Sequence, residues 1–281
     1  MGTITLKLNE EQQKKLYDTF YETRTAPPAY AKWQLRPEGC VITCYTSNKT
    51  VFQGKDAEVY ASPFLSDNVR DMIVPQAGSD EVGTGDYFGP VTVAAVIIHE
   101  EDIARINSLG IGDSKQISDS KIRKIAPELE SMLVTTRLVV MPEKYNQVSS
   151  ANNMNQIKAK LHNQAYLNLM KKEKLPAFCM VDQFAEEGLY YHYLKYEPKV
   201  VRSLHFETKA EDRYPAVGAA SIIARNAFLS AMDQMNARYC MEFARGSGKP
   251  ALDCGRAFVK KYGKEKLGEV AKLHFSLTEK L

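Results

Sequence analysis

A chain of 281 residues is long for one compact domain and sufficient for a small domain joined to a larger one. With 44% hydrophobic and 25% charged residues it has globular composition and material for a sizeable core, which excludes a disordered or fibrous chain. The net charge of +3 permits nucleic-acid binding without requiring it. Five cysteines (Cys40, Cys44, Cys179, Cys240, Cys254) are odd in number and contain no CxxC pair, so neither a disulfide framework nor a zinc site is expected. The first residues, MGTITLKLNEEQQKK, show no apolar segment behind a basic start, and no window holds the ~18 uninterrupted apolar residues of a membrane span. The expectation is a soluble cytoplasmic protein without membrane contact.

In chain order, residues 9–22 predict a helix. Asn9 is its N-cap, Glu10 and Glu11 suit its first turn, and Leu16, Tyr17 and Phe20 form its apolar stripe, until Ala26-Pro27-Pro28 ends it. Three β-like runs follow at 30–35, 39–46 and 50–54, the last two joined as a hairpin through Ser47-Asn48-Lys49. Weak periodicity between flanking prolines marks 63–76 as a linker, leaving a small α+β domain over 1–62 and a larger one over 77–281. There the pattern predicts strands at 78–81, 91–98, 134–140, 177–181 and 199–204, with helices near 118–131, 153–173 and 216–238. Met154, Ile157, Leu161, Ala165 and Leu169 recur at helical spacing along the second. Strands separated by helices predict an α/β fold, a mixed sheet flanked by helices.

The most informative stretch is Gly78 to Pro90, GSDEVGTGDYFGP. It places Asp80 and Glu81 in a strand heading for the core, which is costly unless something compensates the charge. A hard divalent cation favours carboxylate oxygen and would do so. Taken alone, the stretch also reads as a surface turn rich in Gly and Asp. Asp182 ends the apolar run Phe178–Val181, where open sheets present functional groups beyond their strand ends. Lys209-Ala210-Glu211-Asp212 leads into the small-residue helix Ala216–Ser221. Each of these acids by itself also reads as a solvated loop carboxylate, and for Asp182 alone that is the better reading. The turn GTGDYFG is not a dinucleotide fingerprint, because its glycine spacing is wrong and a strand follows it. Gly83 and Gly85 do permit close backbone approach to a phosphate or sugar.

These residues, in this order, resemble the type 2 ribonucleases H. GSDEVGTGDYFGPVTVAAVII is similar to their opening strand-turn-strand, where HII members carry Asp-Glu-Ala-Gly-Arg-Gly. Gly83-Thr84-Gly85 in place of Gly-Arg-Gly looks like the HIII branch. Gly112-Asp113-Ser114-Lys115, Val181-Asp182, Lys209-Ala210-Glu211 and Tyr214–Arg225 match in sequence over about 77–281. The resemblance implies a ribonuclease H-like catalytic domain, preceded by a small domain similar to the TATA-box-binding protein that binds substrate. Val41–Gly54, with Phe52-Gln53-Gly54, looks like part of it.

By the same resemblance the active-site acids are Asp80, Glu81, Asp182 and Glu211. A glutamate at the fourth position suits the HIII branch, and the register Lys209-Ala210…Tyr214-Pro215 selects Glu211 over Asp212. They would hold two Mg²⁺ or Mn²⁺ ions, and the product ends would be 5′-phosphate and 3′-hydroxyl. The Gly83, Thr84 and Gly85 backbone would contact 2′-hydroxyls, while Lys115 and Ser221 would contact phosphates. The expected partner is an RNA–DNA hybrid and the expected state a monomer. Lys158, Lys160, Lys171, Lys172 and Lys174, and Arg256, Lys260, Lys261, Lys264, Lys266 and Lys272, form two basic clusters. They read either as solvated faces or as tracks for the hybrid backbone. The five histidines show no ligand spacing and read as structural or exposed.

Overall fold

The computed structural model describes residues 2–61, 64, 73–111 and 117–281, and the chain divides into two units, Met1–Met72 and Ile73–Leu281. The expected linker at 63–76 lies largely outside the described residues, and Gln76 already belongs to a strand of the second unit.

The first unit contains β1 (Gly2–Lys7), α1 (Glu10–Thr19), β2 (Arg24–Thr25), β3 (Ala31–Leu35), β4 (Cys40–Tyr45) and β5 (Lys49–Gly54). Asn9 caps α1 as expected: its Oδ1 accepts the Gln12 N–H at 2.8 Å, and Gln12 Oε1 accepts the Asn9 N–H at 3.0 Å. The helix stops at Thr19, short of the predicted end. Both the backbone N–H and the hydroxyl of Thr23 donate to the Phe20 carbonyl, and this closes a 3₁₀ turn that feeds β2. The strand β1 was absent from the sequence reading. It pairs with β5 and completes an antiparallel sheet ordered β1-β5-β4-β3-β2. Strand alternation puts Phe52, Ile42 and Leu35 on one face, buried against Leu16 of α1. The other face carries the row Thr5, Val51, Thr43, Gln34 and Thr25 across all five strands.

In the second unit the elements are β6 (Gln76–Val82), β7 (Val91–Ile98), α2 (Ile103–Leu109), α3 (Asp119–Met132), β8 (Val134–Val140), α4 (Pro142–Ser149), α5 (Met154–Leu169), β9 (Phe178–Asp182), α6 (Glu187–Tyr193), β10 (His205–Glu207), α7 (Pro215–Tyr239) and α8 (Lys249–Tyr262). They build the mixed sheet that the sequence predicts, ordered β10-β9-β6-β7-β8. Strands β10, β9 and β6 run parallel, and β7 and β8 continue antiparallel. Every residue of β7 is buried, which suits its unbroken apolar sequence and requires cover on both faces. Helix α5 covers one face and α7 the other. Gly78 allows α7 this approach, since a Cβ there would lie 2.4 Å from the Val217 backbone nitrogen.

The strand predicted at 199–204 does not form. Its backbone hydrogen-bonds a side chain instead: the Val201 N–H donates to Asn163 Oδ1 at 2.9 Å, and Asn163 Nδ2 donates to the Lys199 carbonyl at 2.8 Å. Ser203, at φ +63°, then turns the chain into β10, the actual edge strand. Among the described residues no helix is long and apolar enough to cross a membrane.

Candidate active site

The parallel register of β6 and β9 pairs Ser79 with Val181, so the next residues, Asp80 and Asp182, leave the ends of neighbouring strands side by side. Side chains alternate along β6 and give its two acids different surroundings. Gly78 and Asp80 face α7, where the Ser221 hydroxyl hydrogen-bonds the Asp80 carboxyl. Ser79 and Glu81 face α5. Glu211 arrives from the other direction, on the 3₁₀ turn Ala210–Asp212 that follows Lys209 in a left-handed conformation at φ +59°. The same turn directs the Ala210 N–H onto Asp182 Oδ1 at 3.0 Å. Glu211 is buried and lines the cleft, whereas the adjacent Asp212 is exposed.

Three carboxyls thus converge from three elements. Burial, followed by the charges of Glu81 and Asp182, pushes Asp80 well above the usual carboxylate range. Asp182 is pushed up to about 6, first by burial and then by the neighbouring acids, against the Ala210 N–H that lowers it. Asp182 and Glu211 also share a hydrogen bond.

Glu81 behaves in the opposite way. Burial pushes it up, but His162 and Lys158 outweigh that and hold it below its ordinary value. Lys158 Nζ lies 2.8 Å from one oxygen and His162 Nε2 lies 2.7 Å from the other. The ring's Nδ1 hydrogen-bonds Ser79 Oγ at 2.7 Å, so His162 bridges two residues of β6. Lys158 also sits over the Phe184 ring at 4.0 Å. Lys158 is therefore buried and not part of an exposed basic cluster. Lys158 and His162 were missed as partners of Glu81. The available signal was their i,i+4 spacing on the same helical face as the buried Ala165 and Leu169.

An open cleft of about 460 Å³ lies over the acids, and the turn from Gly83 to Asp86 forms one wall. Gly83 has φ +94°, and a Cβ there would sit 2.2 Å from the Pro90 carbonyl, so the two ends of the turn nearly touch. Gly85 has open space around it. Arg225 and Arg245 also line the cleft, and both are joined to Asp119 at the start of α3. Arg225 donates from Nε and Nη2 at 3.0 and 2.7 Å, and Arg245 from Nη1 at 2.6 Å. Burial raises the Asp119 carboxyl, but the two guanidiniums override it and hold it below the usual range. Two cations on one anion leave this part of the cleft net positive. The sequence reading did not single out either arginine. Lys115 lies outside the described residues.

The donor chemistry suits a hard divalent ion, because the three convergent groups offer carboxylate oxygen only. Burial first, and then the neighbouring acids, raises Asp80 and Asp182, a penalty that a bound divalent cation would offset. As the side chains stand, no group of three or more His, Cys, Asp or Glu among the described residues is arranged around a common metal position. Both Glu81 oxygens turn to Lys158 and His162 instead.

The sequence pattern of the ribonuclease HII family matches residues 77–278, and that of a domain of unknown function (DUF3378) matches residues 3–72. Ribonuclease HIII of Exiguobacterium sibiricum is 35% identical, with 100% of this chain and 96% of that protein aligned. Ribonuclease HIII of Lysinibacillus sphaericus is 38% identical over 100% of this chain and 98% of its own length. The chain belongs to the ribonuclease HII family, in its HIII branch. The crystal structure of Bst-RNase HIII in complex with Mn²⁺ superposes with a TM-score of 0.76 at 32% identity, covering 99% of this chain and 97% of that one. The RNase H3 of Aquifex aeolicus, at 23% identity and a TM-score of 0.60, shares the fold. As a ribonuclease H, the chain is a phosphodiester hydrolase.

Proposed function

We propose that this ribonuclease cuts the RNA strand of RNA–DNA hybrids with two divalent ions, Mg²⁺ or Mn²⁺, leaving 5′-phosphate and 3′-hydroxyl ends. The observation that carries this reading is the convergence of Asp80, Asp182 and Glu211, two of them with carboxyls raised by burial and mutual repulsion. Mn²⁺ in the related Bst-RNase HIII supports a divalent ion. Asp80, Glu81, Asp182 and Glu211 are the residues that would hold the ions. Bound in pairs, such ions activate water and neutralise charge on the attacking and leaving oxygens of an in-line displacement.

The remaining steps belong to the protein. Ser221 and the Glu81 N–H orient Asp80, and the Ala210 N–H and Glu211 orient Asp182, so that both carboxyls are held toward the cleft. Lys158 and His162 keep Glu81 ionised and fixed. Choice of RNA over DNA needs a contact to the 2′-hydroxyl, and the backbone of Gly83, Thr84 and Gly85 on the cleft wall is suited to it. Arg225 and Arg245, which line the cleft, offer planar donors to backbone phosphates. The N-terminal antiparallel sheet, with Val41–Gly54 in its hairpin, is the second substrate-binding element.

The test is substrate preference with product-end analysis. Multiple cuts along a uniform hybrid, poor cutting beside a single ribonucleotide in DNA, and phosphatase-sensitive 5′ ends are expected. Preferential cutting at the single ribonucleotide would refute the hybrid reading.

A further inference from the structure

Lys272 reads in the sequence as one more member of a C-terminal basic cluster. In the structure it is completely buried, which is rare for a lysine. Its ammonium meets main-chain carbonyls: Nζ lies 2.6 Å from the Gly89 oxygen and 3.5 Å from those of Phe88 and Pro90. Burial pushes the amine down to about 7 despite the opposing influence of the Asp86 charge.

These carbonyls close the glycine-rich turn. Pro90 is the residue whose oxygen Gly83 nearly touches, so Nζ sits at the neck where the turn's two ends cross. The C-terminal segment is already tied there by its backbone. The Lys272 N–H donates to the Tyr87 oxygen at 2.9 Å, the Gly89 N–H donates to the Val270 oxygen at 3.0 Å, and Phe88 bridges to Ala271. On the other side the turn holds the loop of Arg245, since the Tyr87 N–H donates to the Gly246 oxygen and the Gly246 N–H to Asp86 Oδ1.

An apolar side chain of similar volume would fill this space at a lower desolvation cost. What only the ammonium adds is a convergent pull on three successive carbonyl dipoles, fixing how the turn leaves β6 and enters β7. We propose that Lys272 is a positioning residue, an internal cation that holds the Gly83–Gly89 turn in the shape that receives the RNA strand. This rests on the hybrid reading for its substrate, but the effect on the turn does not.

The experiment uses the full chain with Lys272→Met, and Lys272→Gln as a second variant that keeps amide donors without charge. Two measurements are made well below each variant's melting temperature. Hydrogen exchange of residues 83–90 without substrate should quicken by about tenfold, while β9 and α5 stay unchanged. KM for a uniform hybrid at saturating Mn²⁺ should rise by about fivefold with kcat within about twofold of wild type, the sign of lost positioning on binding. Gln should fall between Lys and Met. Unchanged exchange and KM in a folded variant would reduce Lys272 to a filler and overturn the proposal. A loss of kcat at constant KM would also overturn it, placing the effect on the carboxylates. Should Met not fold, the Gln variant decides by the same two readings. If wild type fails to cut the hybrid, the hybrid reading falls and the exchange data alone judge the turn.

Discussion

Replacing Asp182 with Asn should stabilise the metal-free protein at neutral pH while removing one of the groups proposed to hold metal. The folded structure raises this carboxyl from 3.8 to about 6, so the native state binds its proton more tightly than the unfolded chain does. The destabilisation is absent below the unfolded value, grows as pH rises between the two values, and is complete above about 6. Unscreened, a shift of that size corresponds to ~3 kcal/mol. Asp182 is only half-buried in an open cleft, and screening reduces this to about 1–2 kcal/mol. Asparagine keeps an oxygen for the Ala210 N–H, so the hydrogen bond survives. In chelator near neutral pH the melting temperature of Asp182→Asn should exceed wild type by ~3–6 °C. The gain should shrink towards zero as pH falls to about 4. Added Mn²⁺ should raise wild type more than the variant, because only the intact site binds it tightly. A variant less stable than wild type in chelator at neutral pH, or a shift independent of pH, would refute the electrostatic account of these acids.

Arg225→Met and Arg245→Met should each raise KM with little change in kcat, and each should flatten the salt dependence of hybrid binding by roughly one charge. An unaltered salt slope would exclude them as phosphate contacts. Lys158→Met removes the cation from an ion pair whose side chains are 10% and 12% exposed, and should cost about 3 kcal/mol in denaturant unfolding. Lys14, exposed on α1 in its pair with Asp18, should lose less than about 1 kcal/mol on the same change.

The apolar run Phe178–Val181 made it legible that Asp182 ends a strand, and the stretch from Gly78 that Asp80 and Glu81 lie in one. The choice of these acids together with Glu211, on a 3₁₀ turn, came from the resemblance to the type 2 ribonucleases H. The mixed sheet followed from the same alternation of strands and helices. Features that depend on tertiary partners were hidden. Residues 199–204 look like a strand by composition, yet Asn163 captures their backbone hydrogen bonds. Helix α8 buries only Ala251, Gly255 and Phe258, a stripe too small to stand out against its lysines. Strand β1 alternates weakly and gains its place from pairing with β5. Lys158 and Lys272 are chemically identical to their exposed neighbours in sequence. Only the carboxylate of Glu81 and the carbonyls around Gly89 set them apart.

The most direct test of the central claim is cleavage of an end-labelled RNA–DNA hybrid by wild type and Asp80→Asn, each with Mg²⁺, with Mn²⁺ and with chelator. The account predicts cutting of the RNA strand by wild type with either ion, none with chelator, and none by Asp80→Asn under any condition. Cutting that persists in chelator or in Asp80→Asn would contradict a metal site built on these carboxylates.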